Sequence, residues 1–144
     1  MSSENFNNEL LLISVKPQYA RKIFSGEKTV ELRKSAPRKA NKDSLLLIYV
    51  TSPVKELWGF CKIDEIISNN PMDLWDEIGD KTGISKKEYS AYYKESNNAY
   101  GIKLKDIKNF LESPIKLNIL KDLIPGFAPP QTYRYIDKNI MNLI

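Results

Sequence analysis

The 144-residue chain contains no histidine. That absence removes every Ser-His, Cys-His and His-metal arrangement at once. Acid–base chemistry, if there is any, falls to Glu, Asp, Lys or Tyr. Carboxylates do not cluster at metal-ligand spacing, so no metal and no other cofactor is expected. One cysteine is present, Cys61 in "WGFCKIDEI". It can form no disulfide within the chain, which suits a reducing, cytoplasmic location, and it reads as a small buried strand residue. No apolar run approaches the roughly 20 residues of a membrane-spanning helix. The opening "MSSENFNNE" lacks the apolar centre of a signal peptide; residues 1–9 read as a disordered arm and 10–144 as a single domain. There is no nucleophile elbow, no P-loop and no dinucleotide fingerprint.

What the chain does have is charge, unevenly placed. Its net charge is +4. From Lys16 to Lys42 nine Lys or Arg face only Glu27 and Glu31, a local excess of seven. From Asp64 to Asp80 there are six carboxylates and no base. A basic first third beside an acidic middle predicts one anion-attracting face, with RNA or another nucleic acid as its natural partner. The acidic segment 64–80 is a candidate surface for a basic protein partner. A solvated surface is the alternative for both segments.

Local signals mark the elements. "LLLISV" (10–15) reads as a buried strand. Pro17 suits the first turn of a helix and Gly26 its end, with Ala20, Ile23 and Phe24 on one stripe. "KTVELR" (28–33), "LLLIYVTS" (45–52) and "ELWGFCKIDEII" (56–67) read as strands, with a bulge expected at Gly59. Helices are expected over 71–78 and from Ser85, where Ser85 and Glu88 have capping-box spacing. Tyr89, Tyr92 and Tyr93 would share one face of the second. "AYGIKLKDIKNF" (99–110) and "PIKLNIL" (114–120) read as a fifth and a sixth strand. Residues 129–136 are extended by their prolines. Asp137 caps a short last helix, with Ile136 and Met141 as a hydrophobic staple. The sum is an α+β fold: a small, mostly antiparallel β-barrel with flanking helices.

Two stretches carry candidate site residues. In "GEKTVELR", strand alternation puts Val30 and Leu32 on one face and Thr29, Glu31 and Arg33 on the other. Arg33 offers a planar fork of donors for phosphate or a base edge. Glu31 can accept from an exocyclic amine, and Lys28 sits at the turn. Spacing alone does not separate a binding wall from an exposed ion pair on a solvated strand. In "QTYRYI", Tyr133 and Tyr135 share a face opposite Arg134. Such tyrosines can stack on bases or pack the end of a barrel.

The stretch "SVKPQYARKIFSGEKTVELRKSAPRK" resembles the opening of ASCH domains, in the PUA-like superfamily. Their Gly-x-Lys-x-x-Glu-x-Arg pattern is met by Gly26, Lys28, Glu31 and Arg33. The resemblance runs on to "PPQTYRYI", over about residues 10–136. It implies a small antiparallel barrel with helices around a cleft, RNA or modified-nucleotide binding, and a cleft lined by Lys28, Glu31 and Arg33. Relatives that hydrolyse acetylcytidine use a Lys and a Thr in this strand. Lys28 matches the Lys, but Glu31 stands in the place of the Thr, and Thr29 lies two residues earlier. Ribonuclease activity is also attributed to some ASCH domains. It could use Lys28 and a tyrosine such as Tyr49 or Tyr100, but no motif fixes those roles.

Overall fold

The structure is a computed structural model that describes residues 9–144. Residues 1–8 of the expected arm lie outside the described residues. Glu9 already belongs to the first strand, where it pairs with Asp137.

The chain runs β1 (Glu9–Val15), α1 (Pro17–Ser25), β2 (Val30–Arg33), β3 (Leu45–Val50) and β4 (Glu56–Asn69). It continues through α2 (Pro71–Ile78), α3 (Lys86–Tyr92), β5 (Ala99–Asn109), β6 (Ile115–Lys116), α4 (Leu117–Leu123) and β7 (Tyr133–Asp137). Short 3-10 turns cover Gly79–Lys81 and Lys138–Asn142. The strands form one sheet in the order β2-β5-β4-β3-β1-β7, with β6 beside β4. The sheet curls into a half-barrel in an α+β fold. Every pairing is antiparallel except β1 with β3.

The local signals explain most element ends. Pro17 opens α1, and Gly26 closes it at φ 89°, donating to the Ile23 carbonyl. Glycine takes that left-handed conformation without the clash a Cβ brings. Both halves of the Ser85–Glu88 capping box form at α3. The Asp137 side chain accepts from the Asn139 amide. Gly59 stands where the β3–β4 register slips, its Ile48 pairing followed by Tyr49 opposite Leu57. A Cβ at Gly59 would meet the Lys108 carbonyl oxygen.

The expected sixth strand over 114–120 is corrected. Only Ile115–Lys116 is extended, and Leu117–Leu123 is helical. Leu117, Leu120 and Leu123 recur every three residues and turn toward one apolar cluster. That is a helical period, outweighing the strand preference of Ile119, while Ile115 keeps its strand in β6.

Three apolar clusters hold the sheet. Leu11, Ile13, Leu46, Ile48, Cys61 and Ile63 pack under Ala20 and Ile23 of α1. On the other face Leu10, Leu12, Leu47 and Tyr49 meet Leu120, Phe127 and Ile140. Val30 and Leu32 of β2 pack against Leu74, Ile78, Tyr89 and Tyr93 of α2 and α3. Both faces of β1 and β3 are therefore covered by apolar clusters, and one face of β2.

Candidate nucleic-acid interface

A cleft of about 490 Å³ opens where the parallel pair β1 and β3 ends. Its walls come from Ser14 to Lys16, Tyr19 of α1, and β2 with Lys34 and Ser35. Glu88 and Tyr92 of α3, Thr51, and the segment 131–133 complete it. Four cations line it, Lys16, Lys28, Arg33 and Lys34, against two carboxylates, Glu31 and Glu88. The cleft therefore favours an anion.

β2 supplies the floor. All four of its residues are buried, so a solvated strand face is not what Glu31 and Arg33 occupy. Lys28, Glu31 and Arg33 are only 2%, 6% and 9% exposed. Buried charges need partners, and these have them. Glu31 sits between the two cations, with Lys28 Nζ at 3.6 Å and the Arg33 guanidinium in hydrogen-bond contact. Lys28 Nζ donates to the Thr82 carbonyl at 2.7 Å and lies 5.6 Å from the centre of the Tyr19 ring. Arg33 Nη2 also donates to the Ser14 carbonyl at 3.0 Å, and Nη1 to the Thr132 carbonyl at 3.2 Å. Among the described residues, the buried Arg33 Nε has no hydrogen-bond partner.

The loop that receives Lys28 is built for close approach. Gly83 has φ +69°, and a Cβ there would come within 2.9 Å of Lys28 Cβ. Lys22 Nζ donates to the Gly83 carbonyl at 2.6 Å, beside the Lys28–Thr82 bond. Two lysine ammoniums thus hold one turn. Burial pushes the Lys28 pKa below that of an ordinary lysine, with Glu31 opposing the shift.

The rim is aromatic. Tyr19 donates its hydroxyl to Glu88 Oε2 at 3.3 Å. Burial first, then the Glu88 charge, raises the Tyr19 pKa. Hydrogen bonds from Ser85 hold the Glu88 pKa down. Lys34 Nζ lies 4.8 Å from the centre of the Tyr92 ring, a cation–π arrangement that keeps the lysine at the mouth.

The structure brings Lys28, Glu31, Arg33 and Tyr133 together at this cleft, and not Tyr135. Tyr133 and Tyr135 do share a strand face, their rings 6.1 Å apart. One residue pair further along β7, however, Tyr135 is outside the cleft lining. Its hydroxyl accepts from the Lys39 amide at 2.8 Å, with the Lys39 ammonium 5.4 Å from the ring centre. Tyr135 therefore anchors the basic loop.

Thr29 is exposed and outside the lining, so it is not poised as a nucleophile there. Tyr49 is 2% exposed in the cluster on the far side of the sheet, edge-on to Phe127. Tyr100 is outside the lining as well. Among the described residues no group of three His, Cys, Asp or Glu could hold a metal ion.

Tyr92 is the cleft residue that sequence reasoning placed elsewhere. Tyr89 and Tyr93 are buried, whereas Tyr92 is 38% exposed. A helix carries i+3 and i+4 to opposite sides of residue i, so three tyrosines at this spacing need not share one environment. In the acidic segment, Glu65 and Asp64 pair with Lys103 and Lys105. Asp73 joins the Asn70 cap of α2, and Asp76, Glu77 and Asp80 are exposed.

A curled sheet with a cationic, tyrosine-rimmed cleft at the Gly-x-Lys-x-x-Glu-x-Arg segment is the architecture of an ASCH-type domain. The family described as "Domain of unknown function (DUF365)" matches residues 11–120. An "ASCH domain-containing ribonuclease" of Zymomonas mobilis is 33% identical over 127 residues, covering 88% of this chain and 84% of that protein. The crystal structure of ASCH from Zymomonas mobilis superposes with a TM-score of 0.85 at 32% identity, over 92% of this chain and 90% of that one. The large ribosomal subunit protein uL22 of Ureaplasma parvum is 33% identical over 100 residues, 69% of this chain but 32% of that protein. The chain belongs to the ASCH domain family.

Proposed function

We propose that this protein binds RNA in the cleft and cleaves it there. The observation that carries the binding is the lining itself: four cations against two carboxylates, with Tyr19, Tyr92 and Tyr133 on the walls. Lys16 and Lys34 at the mouth attract the phosphates, and the loop 34–42 extends the attraction without regard to sequence. The tyrosine faces take bases, at about 1–3 kcal/mol per stacked base. Cleavage draws its support from the Zymomonas relative, whose name is that of a ribonuclease. Lys28 is the candidate general base. A lysine whose pKa is lowered by burial has more of the neutral amine that can take a proton from a ribose hydroxyl.

Binding without cleavage is the second reading, and one observation favours it. Lys28 Nζ is held by the Thr82 carbonyl and lies 3.6 Å from Glu31. Both contacts stabilise the charged ammonium, which cannot act as a base.

One experiment separates the readings. Short unpaired RNA is titrated with the protein at low and at raised salt, and the products are analysed by mass. The expected result is salt-sensitive binding and new fragments, with Lys28→Met abolishing the fragments while RNA is still bound. Intact RNA in a stable complex supports the second reading. Absence of binding at low salt overturns both.

A further inference from the structure

The order of strands leaves β2 and β7 as the two edges of the half-barrel. No backbone ladder joins them among the described residues, yet the Arg33 side chain spans the gap. Its two terminal nitrogens reach the Ser14 carbonyl in β1 and the Thr132 carbonyl just before β7. Ser14 holds the same segment from the other side. Its amide donates to the Thr132 carbonyl at 3.1 Å, and its hydroxyl to the Pro130 carbonyl at 2.6 Å. The Thr132 carbonyl is thus shared by a strand amide and a guanidinium. Tyr93 Oη donates to the Arg33 carbonyl at 3.0 Å, which fixes the base of the same residue to the end of α3.

This segment presents Gln131, Thr132 and Tyr133 to the cleft. Both Nη atoms of Arg33 are occupied, Glu31 holds Nη2 as well, and Nε is buried. Three of its five N–H groups are engaged, so a two-pronged grip on phosphate would have to displace a partner of Nη2 or reach the buried Nε. We infer that Arg33 is a positioning residue: it clasps the open side of the half-barrel and sets Tyr133 against the ligand, and it does not itself bind phosphate. A planar fork reaches these acceptors from two nitrogens held apart in fixed directions, whereas a lysine ammonium donates from a single point on a flexible stem. The clasp stands on geometry alone, while its effect on ligand rests on the RNA reading above.

The test uses Arg33→Lys, with Ser14→Ala as a milder variant should the first not fold. Hydrogen exchange without RNA is read first. The clasp predicts faster exchange of the Ser14 amide and of residues 133–136. RNA affinity is read next, alone and combined with Tyr133→Ala. Arg33→Lys should weaken binding about 10-fold, the worth of one stacked base. Tyr133→Ala should weaken the wild type and add little to Arg33→Lys. With Arg33→Ala, which removes the charge, the dependence of binding on salt should not change.

Unchanged exchange overturns the clasp, whatever happens with RNA. Arg33→Ala lowering the logarithmic salt slope by about one, with the Tyr133→Ala effect fully additive, would make Arg33 a phosphate ligand instead. Wild-type protein that binds no RNA sinks the RNA reading and leaves the exchange result to decide the clasp.

Discussion

β1 and β2 are both buried on their two faces, by opposite means. In β1, Leu11 and Ile13 enter one apolar cluster while Leu10 and Leu12 enter another. In β2, Val30 and Leu32 enter an apolar cluster, while Glu31 and Arg33 turn into the cleft floor with Lys28. Removing β1 from water is favourable at about 25 cal/mol per Å² of apolar surface. Removing the β2 charges is costly, and mutual pairing with backbone acceptors only offsets that cost. One strand stabilises the fold; the other is tolerated by the fold because of what it presents.

The sharpest way to break the contrast is Glu31→Ala. It leaves Lys28 and Arg33 buried without their shared carboxylate. Loss of one partner from a buried network costs about 3–5 kcal/mol, to be read from the urea midpoint. Leu47→Ala, at a residue 1% exposed, should cost about 2–5 kcal/mol through transfer and cavity terms. If Glu31→Ala costs under about 1 kcal/mol, water reaches the network and the contrast with β1 is lost.

The second prediction concerns Cys61, which packs in the apolar cluster but also feels Glu31. Burial is the main cause that pushes its thiol from 9.0 up to about 12. Above pH 9 the unfolded chain loses this proton and the native chain keeps it. Stability therefore falls as pH rises from 9 toward 12, by at most about 1.4 kcal/mol per pH unit. Comparing the pH slope with that of Cys61→Ala isolates the effect from Lys28, whose lowered pKa acts in the opposite sense below 10.5. Equal slopes would mean that the thiol titrates as if exposed.

The smallest effect on stability should come from Lys34→Ala, under about 0.5 kcal/mol, since its side chain is exposed and makes no core contact. RNA binding should still weaken, with the salt slope reduced by about one. A large loss of stability would place Lys34 in the structural network with Arg33.

Much of this fold was legible in the chain. Pro17 and Gly26 bracket α1, Ser85 and Glu88 start α3, and Asp137 caps the last turn. These are short-range contacts whose geometry is set by a few adjacent residues. Ile119 misled because a β-branched side chain favours strand locally, while packing of Leu120 decided for a helix. The unbroken apolar runs of β1 and β3 signal burial on both faces, but not that the two lie side by side and parallel. Nothing in the chain marks the split between Tyr133 and Tyr135, which depends on where the cleft ends along β7.

The sequence by itself determined that Lys28, Glu31 and Arg33 stand within one short segment, at and just before a strand, in a cationic region, because charge and spacing are written there. Only the tertiary structure decided that the three are buried and what they hold. Their partners lie far away along the chain: Thr82 for Lys28, Ser14 and Thr132 for Arg33. Burying a charge is stable only where such partners converge, and convergence is a property of the folded sheet.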